Sequence, residues 1–236
     1  MMLLDYVALA VFLLCWLGLE PAMARKLFGG NGIMAHMEQI RGAWMRQLLQ
    51  RDSFLVDAQI IGHTINSASF FGSANLLVIV GVGGTLFGAR GLHPEIASVL
   101  PLPADAPFWL FGAKIMLILA PLMRGLLDFI WAVRQLNYCL AAIASNPSPK
   151  SKEDIDAWAD ALMAVLNPAL RTFSVGVRSY HFSIAAALWL FGPVPLIIGA
   201  VGSIAFLYWR QTRSGAANGL YGVCKLLAKD RLEAQN

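Results

Sequence analysis

The side chains with the most capacity for chemistry are ionisable or strongly polar residues set among apolar ones: Asp57, Asn66, Arg124, Asp128, Arg134, Asn137, Arg171, Arg178 and His181. Arg124 and Asp128 have the i, i+4 spacing that puts two side chains on one helix face and lets them pair. Arg134 follows a few turns later, and Arg171, Arg178 and His181 form a second group further along. At one end of a helix bundle, with Asp57 and Asn66 completing the set, these residues would make a ring rich in arginine. Such a ring raises the local anion concentration and can hold a carboxylate or phosphate by paired hydrogen bonds. The plainer and commoner use of the same residues is to satisfy helix ends, pair with Asp57 and Asp128 and touch lipid phosphates.

Other chemistries have less to stand on. His36, His63, His93 and His181 are scattered without an H-E-x-x-H spacing, and the chain has neither a glycine-rich phosphate loop nor a serine nucleophile elbow. His63 and His181 could hold haem or a metal only as a pair backed by further hydrogen-bond partners, and a structural histidine is far more common. Cys15, Cys139 and Cys224 form no C-x-x-C pair and read as buried thiols. No cofactor, metal or nucleic-acid partner is expected.

The elements that must position these residues are membrane helices. The chain is 58% hydrophobic and only 14% charged, against roughly 25% charged in a soluble domain. Apolar runs fill residues 3–19, 70–87, 108–127 and 180–209, and in hydrocarbon only a helix satisfies its own backbone. The first run lacks a basic leader and a small-residue cleavage site, so it reads as a retained helix. Lys114 falls about two turns inside the third run, where its long stem could carry the ammonium outward.

Topology follows from Lys and Arg, which stay on the cytoplasmic side of short loops. Arg25, Lys26, Arg41, Arg46 and Arg51 place the segment after the first span inside. The stretch 88–107, with Arg90 as its only basic residue beside Glu95, Asp105 and several prolines, reads as an outer loop. Arg134, Lys150, Lys152 and Arg171 return the chain inside. One span over 180–209 would then put Arg210, Arg213, Lys225, Lys229 and Arg231 outside, against the rule. A hairpin at Phe191-Gly192-Pro193-Val194-Pro195 removes the conflict, since Gly can end one helix and Pro can start the next, with Trp189 as an interfacial anchor.

The expected fold is therefore all-α: a polytopic helical membrane protein forming one membrane domain over 1–236. Five spans are expected near 3–19, 70–87, 108–127, 172–191 and 194–209, with the N-terminus outside and the C-terminus cytoplasmic, in a bacterial inner membrane. Cytoplasmic helical segments are expected at 33–69, 128–145 and 151–166, followed by a basic tail over 210–236. From Ile33 to Phe54, Met34, Met37, Ile40, Trp44, Leu48 and Leu49 recur at helical spacing among arginines, which predicts an amphipathic helix on the inner membrane surface, docked to anionic lipids. The chain from Asp57 to Ser67 should run into the second span as one helix. The third helix should continue through Trp131, Arg134 and Tyr138 to a stop at Asn146-Pro147-Ser148-Pro149. Ser151 and Asp154 make a capping box for the next helix, which Asn167-Pro168 should break.

Several stretches of this sequence together resemble one family. They are Arg41-x-x-Trp44 with Arg51 and Asp57; Asn66-Ser67-Ala68-Ser69-Phe70-Phe71-Gly72-Ser73; Phe129 through Trp131, Arg134 and Asn137 to Tyr138; Phe173-x-x-Gly176-x-Arg178-x-Tyr180-His181-Phe182 with Trp189 and Pro193; and Leu207-Tyr208-Trp209-Arg210 with Ser214. The set, spread over nearly the whole chain, is similar to the DUF599 family of uncharacterised bacterial and plant membrane proteins. His181 stands where members often carry a second aromatic residue, and the tail after Ser214 is individual. The resemblance implies a membrane domain of this kind and carries over no activity and no site.

Three functions then rank in order. Passage of an ion or small solute, anions included, through a channel or transporter comes first. An accessory or scaffold subunit of a larger membrane complex comes second, and an enzyme or haem protein last. Gly81, Gly83, Gly84 and Gly88, with Gly199 and Gly202, permit close helix approach, within the chain or between copies in a homo-oligomer.

Overall fold

Where the sequence places helix stops and caps, the chain obeys most of them. In a computed structural model, residues 2–24, 32–99, 108–145 and 151–233 are described. They form α1 (Met2–Ala24), α2 (Ile33–Leu48), α3 (Leu55–Val99), α4 (Phe108–Ala144), α5 (Lys152–Ala187), a 3-10 turn (Leu188–Phe191), α6 (Pro193–Thr212) and α7 (Gly215–Glu233). Among the described residues there is no strand. Arg25, Lys26, Asp105, Lys150 and the Asn146-Pro147-Ser148-Pro149 stop lie outside the described residues, as do the side chains of Arg90, Glu95 and Arg231.

Among the described residues, three helical stretches are long and apolar enough to cross a membrane, within 55–86, 109–144 and 193–229, and residues 3–18 form a shorter apolar helix. The chain is an all-α, polytopic helical membrane protein. Its residues group into two units: Met1–Arg25, Phe70–Ile130 and Phe173–Phe206 in the first, and Lys26–Ser69, Trp131–Thr172 and Leu207–Asn236 in the second. The helices α3, α4, α5 and α6 contribute residues to both.

The first unit is built by close helix contact. Ala8 and Phe12 of α1 are fully buried, and Phe12 meets Phe182 of α5 edge-on with centroids 6.3 Å apart. Helices α4 and α5 approach at two glycines. A Cβ on Gly125 would lie 2.9 Å from Ser179 Cβ and 3.2 Å from the Gly176 carbonyl, and one on Gly176 would lie 2.8 Å from the Phe129 ring. Gly199 of α6 likewise leaves room for Leu188 and Ala185. Gly81, Gly83, Gly84, Gly88 and Gly202 have nothing within 4 Å of such a Cβ. Phe71, Phe129, Phe173 and Tyr180 cluster with centroids 5.9–6.3 Å apart, and the Tyr180 hydroxyl donates to the Phe71 carbonyl at 3.0 Å.

The expected hairpin is present. The 3-10 turn ends at Gly192, whose φ of +126° suits glycine alone, and Pro193 opens α6. The Gly192 N–H donates to the Trp189 carbonyl at 3.0 Å, closing the turn.

The second unit has its own core. Met45, Leu48 and Leu49 pack with Ile61 of α3, with Leu136, Cys139 and Ile143 of α4, and with Ala159, Leu162, Leu166 and Ala169 of α5. The apolar face of α2 is thus buried in protein, where a helix lying in the membrane interface was expected. That helix is also shorter than expected, because the chain turns at Leu49–Phe54, with Ser53 Oγ accepting from the Leu55 N–H at 3.4 Å. The capping box at Ser151 is formed: its Oγ accepts from the Asp154 N–H at 3.1 Å and donates to the Asp154 carboxylate at 2.6 Å.

Three further differences have physical causes. Asn167-Pro168 does not break α5, which runs through it. Proline removes one ladder donor, that of the Ala164 carbonyl, and core packing of Leu162, Leu166 and Ala169 on both sides of the lost bond holds the helix together. Helix α3 continues to Val99, through the first part of the expected outer loop. The expected tail contains α7, which rests on α2 through Tyr221 and Cys224, with the Tyr221 and His36 rings 5.7 Å apart and the Cys224 thiol donating to the His36 carbonyl at 3.4 Å.

The contact at Gly125 sets a clear expectation. Gly125→Ala should lower stability by about 1–3 kcal/mol through overpacking, whereas Gly202→Ala, with nothing to meet, should leave it unchanged. Thermal unfolding of the detergent-solubilised variants measures both, and equal midpoints would refute the close α4–α5 approach.

Candidate functional site

In a unit made of apolar helices, the informative residues are those whose charge or polarity needs a partner. Lys114, on α4, is only 5% exposed. Its ammonium lies 5.7 Å from the centroid of Trp189 in the 3-10 turn. A cation over an indole face is held by the ring quadrupole. The same indole donates its Nε1–H to Asp5 Oδ1 of α1 at 3.0 Å. Three separate elements therefore bring an ammonium, an indole and a carboxylate to one place in the first unit.

Deeper in that unit, polar side chains tend the backbone of α4. Pro121 has no N–H, which takes the ladder donor from the Leu117 carbonyl, and the side-chain bonds nearby fall on other carbonyls of the same stretch. The Ser183 hydroxyl of α5 donates to the Ile118 carbonyl at 3.0 Å, and Asn75 Nδ2 of α3 donates to the Leu122 carbonyl at 2.7 Å. Asn75 is 1% exposed. Arg178 is also buried in this unit, at 8% exposure, one residue before the Ser179 that meets Gly125.

The second unit holds a denser network, centred on α2. Asp57 Oδ1 accepts from Trp44 Nε1 at 2.6 Å and from Arg51 at 2.8 Å, and the Asp57 side chain is fully buried. Arg41 donates to Asn167 at 2.5 Å, and Arg46 bonds Asp156 at 2.5 Å with Asp160 at 3.7 Å. Burial works against the charge of Arg41 and pulls its pKa down, Glu38 opposing the shift, yet an arginine stays protonated in proteins. These bonds tie α2 to α3 and α5.

Of the residues singled out from sequence, Asp57, Asn66, Arg134, Asn137 and Arg171 belong to the second unit, and Arg124, Asp128, Arg178 and His181 to the first. Arg124 and Asp128 pair at 3.8 Å as their spacing predicts. Arg134 lies over the Trp131 ring and donates to the Tyr138 hydroxyl at 3.4 Å, while Asn137 donates to the Val133 carbonyl. Asn66 and Arg171 are exposed. His181 stacks on Phe206, and its carbonyl accepts from Ser203. Asp5, Asn75, Ser183, Arg46, Asp156 and Asn167 were not singled out as site residues. Arg41, Trp44, Arg51 and Trp189 were visible only as motif residues or as an anchor.

Replacing Asp57 by Leu should cost about 2–3 kcal/mol, since it strands the Trp44 N–H and removes the acceptor of Arg51. Arg51→Gln should cost about 1 kcal/mol, the arginine being 43% exposed. Chemical unfolding of the two variants compares them, and equal losses would contradict the network. The family model described as "Protein of unknown function, DUF599" matches residues 7–216, a stretch that takes in the second unit's network and the first unit's apart from Asp5. No curated protein and no solved structure matches the chain. With most of its length matched, the chain belongs to the DUF599 family.

Proposed function

We propose that this protein passes an ion or a small anionic solute across the membrane. The observation that carries the reading is the burial of two cations, Lys114 and Arg178, at 5% and 8% exposure in a unit made of apolar helices. Ionisable groups there are costly, and solute paths and charge relays are a recurrent reason for keeping them. In this reading the first unit spans the bilayer with five helices: α1, residues 70–99, residues 108–130, residues 173–187 and α6. The N-terminus lies outside and the C-terminus in the cytoplasm, in a bacterial inner membrane. Arg210, Arg213, Lys225 and Lys229 then face anionic headgroups on the cytoplasmic side.

A second reading, an accessory subunit within a larger complex or homo-oligomer, draws on α3. Only 6% of the apolar window in 55–86 is buried inside the chain, against 44% in 109–144. Phe70, Leu77 and Val80 are 65–74% exposed. A neighbouring protein would suit that surface, and so would lipid.

The passage reading predicts that Arg178→Gln, reconstituted in vesicles, reduces anion flux at least about tenfold, a change of ~1.4 kcal/mol in the barrier. Insertion should be retained, while the thermal midpoint should fall because Arg178 is buried and partnered, so flux is compared at equal amounts of folded protein. Full flux in a folded Arg178→Gln protein would remove this residue from any path.

A further inference from the structure

The Asp5, Trp189 and Lys114 group has the form of a carboxylate receptor that is already filled. A carboxylate is recognised by N–H donors at its oxygens and a cation close by. Here the indole N–H of Trp189 reaches Asp5 Oδ1 at 3.0 Å, and the Lys114 ammonium lies 5.7 Å from the centroid of the same ring. Trp189 and Lys114 are each 5% exposed, whereas Asp5 is partly exposed in the first turn of α1. The buried pair is thus fixed by packing, and the carboxylate is the member nearest solvent.

Lys114 forms no ion pair within 4.0 Å among the described residues, so its ammonium meets a ring face and is left with donors to spare. Asp5 spends one acceptor on Trp189, although a carboxylate has room for about four. A merely structural link between α1 and the hairpin would need the indole bond alone. It would not need a buried lysine beside it, which costs free energy in hydrocarbon.

We infer that Asp5 is a tethered stand-in for a small carboxylate solute, which binds between the Trp189 N–H and the Lys114 ammonium when α1 withdraws its own carboxylate. The inference rests on the passage reading and names its substrate class. Asp5 then acts as a competitor built into the chain, so that an entering carboxylate must displace it.

The test is chemical rescue of the full-length protein in detergent, with sodium acetate as the probe and sodium chloride and acetamide as controls. Asp5→Ala should lower the thermal midpoint, and acetate should restore it saturably while neither control does. Acetate should act on Asp5→Ala at a concentration about tenfold lower than on the parent protein, whose site is occupied. Lys114→Gln added to Asp5→Ala should abolish the rescue. If Asp5→Ala does not fold, Asp5→Asn keeps an acceptor for the indole, removes the charge and should still respond to acetate alone. Rescue by chloride as strong as by acetate, or rescue that survives Lys114→Gln, would overturn the inference, as would no response of either Asp5 variant.

Because this is a binding measurement, it separates from the flux assay. Anion flux without acetate rescue would sink the stand-in and spare passage. Acetate rescue without flux would keep the receptor and remove passage.

Discussion

Hydrocarbon offers no hydrogen bonds, so each polar group placed among the apolar helices must find its partner on another helix. The first unit follows from that constraint. Tyr180 reaches the Phe71 carbonyl, Ser183 and Asn75 reach carbonyls on either side of Pro121, and Trp189 binds Asp5. Each bond joins two different elements, so satisfying the polar groups and choosing the helix neighbours are one event. Gly125 and Gly176 make it possible by letting α4 and α5 come close enough for short side chains to bridge.

The second unit meets a different demand. Its core is ordinary aliphatic packing around Met45, Leu48, Leu136 and Leu162, and its specificity comes from charge. Arg41, Arg46 and Arg51 each have a partner of their own, in Asn167, Asp156 and Asp57. Partly exposed pairs of this kind add little stability individually. Their value is in register: Arg41 and Arg46 fix the seating of α2 on α5, and Arg51, in the turn after α2, fixes that turn on Asp57 of α3. The motif residues Arg41, Trp44, Arg51 and Asp57, which carry the family resemblance, are the ones that fix that seating. Helix α7, most of which lies beyond the matched residues 7–216, adds a second cover to α2 through Cys224 and Tyr221.

Local punctuation made much of the fold legible in the sequence. The bounds of α4, the cap at Ser151 and the hairpin at Gly192 all rest on residues whose backbone preferences act within a few positions. What escaped notice depends on partners far along the chain. Pro168 stays inside α5, where Leu162, Leu166 and Ala169 pack into the core on both sides of the lost bond. Lys114 is buried because Trp189 arrives from the hairpin to cover it, and no window around Lys114 contains that information. The amphipathic pattern of α2 was read correctly as periodic, but periodicity cannot say whether the apolar face meets lipid or protein. The candidate residues show the same division: the Arg124–Asp128 pair is a matter of spacing, whereas the groups around Asp57 and Lys114 are matters of tertiary arrangement.

The functional reading depends on α5 and α6 crossing the bilayer as a hairpin, because that puts Lys114, Trp189 and Asp5 at one membrane face. Thiol accessibility in intact cells tests this most directly, using single cysteines in a background lacking Cys15, Cys139 and Cys224. A cysteine replacing Val194, at the hairpin tip, should react with a membrane-impermeant reagent from outside. One replacing Arg213, past the end of α6, should react only after permeabilisation. Labelling of both from the same side would mean that α6 does not cross, and the five-helix membrane unit would have to be abandoned.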